Sequence, residues 1–241
     1  MNNFSTVCYQ KEDGIAYIWL NRPKVLNAYN LAMRDELYQV LEAIREDDEV
    51  GIAVLQALGR DFCAGADLSE FGTAPSQVVA RQVRLERDVW GRFLGLEKLM
   101  ICGIQGHCVG SGVEMALLCD IRLASSDAVF AMPEVRLGMI PAAGGTQTIP
   151  RYLGVGGAMD ILLTSRRIGA LDALNMGLVN RVVPRGTLAS DVECFARNLA
   201  SLNWPALRAA KRVIWQGMDL PLHSALELEV RLSSQVMDQI P

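Results

Sequence analysis

The chain has 241 residues, with 23 Lys and Arg against 27 Asp and Glu and a formal net charge of −4 at pH 7. That length suits one large domain, or one domain with a small appendage, and 51% hydrophobic content describes a globular protein with a generous core. The mildly acidic balance without a basic stripe argues against nucleic acid or an anionic membrane as the main partner, and no apolar run approaches the ~18 residues of a membrane span.

Met1–Gln10 has neither a basic n-region nor an apolar h-region, so the expected location is the cytoplasm. Val7–Gln10 and Ile15–Leu20 read as strands joined by a turn at Glu12-Asp13-Gly14. Leu31–Asp48 is an amphipathic helix with Met33, Leu37, Val40, Leu41 and Ile44 on one face. Ile52–Gln56 is a continuous apolar strand of the fully buried kind. Gly59–Asp67 is a loop, and Pro75–Leu99 a long, mostly helical segment carrying Arg81, Arg84, Glu86, Arg87, Asp88 and Arg92. Ile101–Gln105 is a short strand leading to a turn at Gly110-Ser111-Gly112 and the apolar segment Val113–Cys119. Strands at Ile121–Ala124 and Val129–Ala131 follow, then Ala142-Ala143-Gly144-Gly145-Thr146 opens another helix. Leu178–Val183 is the last strand, closed by Pro184; beyond it Leu188–Leu202, Pro205–Gln216 and Pro221–Met237 are helical. The expected organisation is an alternating strand–helix body over residues 1–185 and a helical part over 186–241.

Six cysteines show no C-x-x-C spacing and most lie in apolar stretches, the pattern of reduced, buried thiols. His107 and His223 are far apart, so a histidine-rich metal site is not expected.

Two carboxylates stand out. Glu114 lies within the apolar segment, and its helical neighbours Leu117 and Leu118 place it on a buried stripe. Burial acts to raise such a carboxyl above its free pKa of ~4.3. Glu134 stands between Met132-Pro133 and Val135, again in apolar company. The glycine-containing turns Ala64-Gly65-Ala66-Asp67 and Gly110-Ser111-Gly112 each follow a strand-like run and precede a helix-like one. If those strands are neighbours, two backbone N–H groups converge on one carbonyl oxygen, which is what proton transfer beside a stabilised oxyanion needs. A phosphate-binding loop, a dinucleotide fingerprint and a G-x-S-x-G elbow are all missing. A Ser111–His107–Asp120 triad is disfavoured, since Asp120 falls about 13 Å away along the helix.

Leu20–Ala28 (LNRPKVLNA), Phe62–Leu68 (FCAGADL), Gly106–Ser125 (GHCVGSGVEMALLCDIRLAS), Met132–Gln147 (MPEVRLGMIPAAGGTQ) and Arg167–Pro184 (RIGALDALNMGLVNRVVP) resemble, in order, the signature blocks of the enoyl-CoA hydratase/isomerase (crotonase) family. The resemblance runs from about Asp13 to about Asp238. It implies an α/β fold, a spiral of ββα units with a helical C-terminal trimerisation region, assembled as a trimer or hexamer. It implies an acyl-CoA thioester substrate and no metal or redox cofactor, CoA being part of the substrate. The main-chain N–H groups of Ala66 and Ser111 match the oxyanion hole, and Ala64, Ala66, Asp67 and Leu68 the stretch along the CoA adenine and pantetheine. Ser111 stands where the family often has glycine, and Ser69 where several hydratases carry lysine. The segment Phe71–Leu99 is expected to line the acyl pocket. Many relatives continue past the position of Pro241 with a helix bearing a basic residue near the CoA phosphates.

Family hydratases keep glutamate at both positions matched by Glu114 and Glu134, whereas isomerases often keep only the second. The expected activity is therefore hydration of a 2-enoyl-CoA. The rivals are an isomerase or a hydratase of a cyclic or dienoyl ester on the same scaffold, an RNA-binding relative, and a serine hydrolase.

Overall fold

The computed structural model describes residues 4–238, apart from the side chains of residues 80, 81, 83 and 84. The charges expected at Arg81 and Arg84 therefore lie outside the described residues, as do the first three residues of the Met1–Gln10 start.

Strands β1 (Val7–Glu12) and β2 (Ile15–Leu20) are antiparallel. Helix α1 (Leu31–Glu46) starts at Asn30, whose side chain accepts the Met33 N–H at 2.9 Å, and it buries the five apolar residues that its periodicity predicts. It stops short of Asp48 because Asp47 turns extended and Lys98 donates to the carbonyls of Ile44 and Asp47. After β3 (Ile52–Ala57), the single helical segment expected over Pro75–Leu99 is broken into α2 (Gln77–Glu86) and α3 (Val89–Leu94). The cause is Asp88, whose carboxylate accepts the Gly91 N–H at 3.0 Å and caps a new helix rather than continuing the old one.

Then come β4 (Leu99–Ile104), β5 (His107–Val109), α4 (Ser111–Leu117), β6 (Ile121–Ser125), β7 (Val129–Ala131) and α5 (Gly145–Thr164), which bends at Gly154 with φ 70°. The chain continues through β8 (Ile168–Gly169), α6 (Ala170–Met176), β9 (Arg181–Val183), α7 (Leu188–Ala200), α8 (Trp204–Gly217) and α9 (Leu222–Met237). Strand β9 begins later than the expected Leu178. Gly177, at φ 84°, ends α6, and the Leu178 N–H still bonds back to Ala173.

The larger sheet runs β1-β2-β3-β4-β6-β9, parallel from β2 onward, and a smaller one runs β5-β7-β8. Successive turns of chain place one strand in each, β4 then β5 and β6 then β7. Bridges Cys63–Cys108 and Tyr29–Ala66 extend the smaller layer. This is a spiral of strand–strand–helix turns. Alternation along the strands sorts the core: Ile15, Tyr17, Ile52, Val54, Ile101 and Leu123 face Leu188, Val192 and Ala196 of α7. Ala16, Ile18, Ala53, Leu55 and Cys102 belong to the cluster that contains α1. Each fully buried Leu or Val contributes ~1.5–3 kcal/mol, so α7 is integral to the body. Among the described residues no helix is long and apolar enough to cross a membrane.

Candidate active site

The site forms where the spiral brings two glycine turns side by side. The Cys63 N–H donates to His107 O at 3.0 Å and the Val109 N–H to Cys63 O at 2.9 Å, so the segment before Gly65 runs beside β5. Gly65, at φ +102°, permits the close approach: a Cβ there would stand 3.2 Å from Val109 O. The next residue is Ala66. Tyr29 N–H bonds Gly65 O and Asp67 N–H bonds Tyr29 O, both at 2.8 Å. Because N–H directions alternate along an extended chain, the Ala66 N–H lies on the opposite edge.

On the second turn, Gly110 precedes α4 with φ 51° and ψ −118°, and Ser111 is the first helical residue. An N–H at that position has no intrahelical acceptor, and the helix dipole adds positive potential there. Gly112 packs against Cys63, where a Cβ would fall 2.7 Å from the Cys63 carbonyl oxygen.

Both carboxyl groups open onto the same cavity, of about 310 Å³, which Ala64, Gly65, Ala66, Leu68, Val109, Gly110 and Ser111 also line. Glu114, one turn into α4, is 2% exposed. Its Oε1 accepts the N–H groups of Ala143 and Gly145, each at 2.9 Å, and such donors favour the ionised carboxylate against the burial that opposes it. Glu134 begins a short 3₁₀ turn after β7. Burial pushes its carboxyl above the ordinary carboxylate range, and the nearby Glu114 charge pushes the same way, against a lowering hydrogen bond from its own N–H. Among the described residues, Glu134 Oε2 is buried with no hydrogen-bond partner. Glu114 is thus held by two main-chain amides, whereas one buried oxygen of the Glu134 carboxyl has no partner among the described residues.

The structure therefore brings together Glu114, Glu134, Ala64, Ala66, Leu68 and Ser111. Asp67 turns aside: its carboxylate takes Arg22 Nη1 at 2.9 Å and the Ser69 hydroxyl at 2.6 Å, and it lines no part of this cavity. From Phe71–Leu99 the described lining residues are Phe71 and Trp90. Tyr29, Leu137, Met139 and Ile140 complete an apolar wall that the sequence did not single out. The amides of Ala143 and Gly145 also join the site, although the sequence shows the glycine-containing turn there only as the start of α5. Asp120 accepts from the Met100 N–H and pairs with Lys211, so it is tied to β4 and α8 rather than to His107. Among the described residues no three His, Cys, Asp or Glu side chains gather in a metal-holding group.

Two glycine turns and two carboxyl-bearing residues thus line one largely apolar cavity. The chain belongs to the enoyl-CoA hydratase/isomerase family, whose profile matches residues 10–240. It is 37% identical over 226 residues to the short-chain-enoyl-CoA hydratase of Clostridium acetobutylicum, covering 93% of this chain and 87% of that protein. It is 34% identical over 228 residues to the crotonyl-CoA hydratase of Syntrophomonas wolfei, with coverages of 94% and 87%. The crystal structure of an enoyl-CoA hydratase from Bacillus anthracis matches with a TM-score of 0.91 at 34% identity, over 97% of this chain and 92% of that one.

Proposed function

We infer that the protein is an enoyl-CoA hydratase, a hydro-lyase that adds water syn across the 2,3 double bond of a 2-enoyl-CoA. The observation that carries this reading is the pair Glu114 and Glu134 on one cavity with the Ala66 and Ser111 main chain.

The thioester oxygen accepts hydrogen bonds from the N–H groups of Ala66 and Ser111, and conjugation passes the polarisation to C3. Each such donor is worth ~3–4 kcal/mol in the transition state. Glu114, as carboxylate, holds a water and takes its proton as the oxygen attacks C3. Glu134, protonated, gives its proton to C2 as the enolate collapses. Every step is carried by this chain's own groups, and CoA enters as part of the substrate. The pantetheine arm runs past Ala64 and Leu68. Asp67 contributes through its main chain, its carboxylate being occupied by Arg22 and Ser69.

The protein acts as a homo-oligomer, a trimer or a pair of trimers, in the cytoplasm. Exposed apolar rows on α5 (Val155, Met159, Leu163) and α9 (Leu222, Leu226, Val230) support assembly, and six unbridged cysteines support a reducing compartment.

The test is loss of enone absorbance with crotonyl-CoA, with product mass showing gain of one water. Conversion of a 3-enoyl-CoA to its 2-enoyl isomer without hydration would replace this reading with the isomerase.

A further inference from the structure

Outside the cavity lining, one oxygen of Asp61 meets two nitrogens of His107. Asp61, 3% exposed, receives on Oδ1 the main-chain N–H of His107 at 2.9 Å and faces His107 Nδ1 at 2.6 Å. Gly106 makes room for this, since its φ is +57° and a Cβ there would stand 2.5 Å from that oxygen. Burial pushes the Asp61 carboxyl up, but hydrogen bonds from the His107 main chain and ring outweigh it and hold the carboxyl below its ordinary range.

The pair stands where two segments meet. Phe62 N–H donates to Gln105 O at 2.8 Å, followed by the Cys63–His107 and Val109–Cys63 bonds. Ala66 follows Asp61 on one segment, and Ser111 follows His107 on the other. A ladder this short has little redundancy, and a slip in register turns every N–H and side chain to the wrong side. A buried carboxylate adds little net stability after its desolvation, and its best-attested use is to fix register.

From this geometry we propose that Asp61 and His107 are positioning residues. Their clasp sets the segment bearing Ala66 against the segment bearing Ser111, and through it aims both amides at one thioester oxygen. The proposal rests on the hydratase reading.

The experiment compares Asp61→Ala, His107→Ala and the conservative Asp61→Asn in the full-length protein. Three quantities are read: kcat and KM for crotonyl-CoA, the red shift of bound cinnamoyl-CoA as a measure of carbonyl polarisation, and the thermal midpoint. Both alanine variants are expected to lose ~10–100-fold in kcat, short of the ~10²–10³-fold of removing a donor outright. KM should stay within about threefold, and the red shift should shrink. Asp61→Asn keeps an acceptor for the His107 N–H and should recover most of both. His107→Ala retains its own main-chain N–H and serves if Asp61→Ala does not fold. Wild-type kcat and full red shift in either folded alanine variant overturn the proposal, as does a kcat loss with the shift intact. If the unmodified protein shifts cinnamoyl-CoA yet hydrates nothing, the hydratase reading fails and the clasp is judged on the shift alone.

Discussion

Glu134 Oε1 fills the space that a side chain on Gly110 would need: a Cβ at position 110 falls 2.7 Å from that oxygen. Gly110 also has φ +51° with ψ −118°, a conformation outside the left-handed helical region that glycine adopts and a Cβ disfavours. Gly110→Ala should therefore displace the Glu134 carboxyl and the Ser111 amide together. Expected is a fall in kcat of ~10²-fold or more, read by steady-state hydration of crotonyl-CoA. Retention of the wild-type rate would show that neither group needs its present place.

Glu114→Gln and Glu134→Gln should each lower kcat by ~10²–10⁴-fold while leaving KM for the CoA ester near its original value. Ser111→Ala should be nearly silent, because the role assigned there belongs to the main chain. A large loss at Ser111, with thiol release from an acyl-CoA, would revive the serine hydrolase.

The raised Glu134 carboxyl has a sign that stability measurements can read. Its folded pKa exceeds the unfolded one, so the linked stability is complete below the unfolded value and lost as pH rises through the folded value. Glu134→Gln does not titrate. Its thermal midpoint minus that of the wild type should therefore grow more positive from about pH 4 to about pH 8. A difference that stays flat across that range would mean the carboxyl is not penalised for ionising.

Trp90 is held on α3 with its ring 5.2 Å from that of Tyr29 and 6.4 Å from that of Phe93, and it lines the apolar wall of the cavity. Trp90→Ala should shift preference toward longer acyl chains, raising the ratio of kcat/KM for an eight-carbon over a four-carbon 2-enoyl-CoA by about tenfold. An unchanged ratio would place the acyl tail against another wall.

How far the sequence reached depends on the range of the interaction involved. The α1 face and the doubly buried β3 were legible because periodicity and apolar runs are local. Glu114 was legible on its buried stripe because Leu117 and Leu118 follow it in sequence. The break at Asp88 was a local signal overridden by the helical pattern around it. Strand β5 was hidden because His107–Val109 is short and its partners, Cys63 and β7, are remote. The site's glycine turns were visible, but their approach depends on that remote pairing. Nothing local in Ala143 and Gly145 announces that their amides hold the Glu114 carboxylate.

The span from Glu134 to Gly145 begins with one acid and ends on the amides that grip the other. On the roles proposed for the two acids, slack anywhere along it, for instance at Gly138 with φ 70°, would be felt at both carbons of the double bond at once. Loosening that strap should then blunt the proposed water activation and proton delivery in concert, so changes in it that touch neither acid should surface as paired defects.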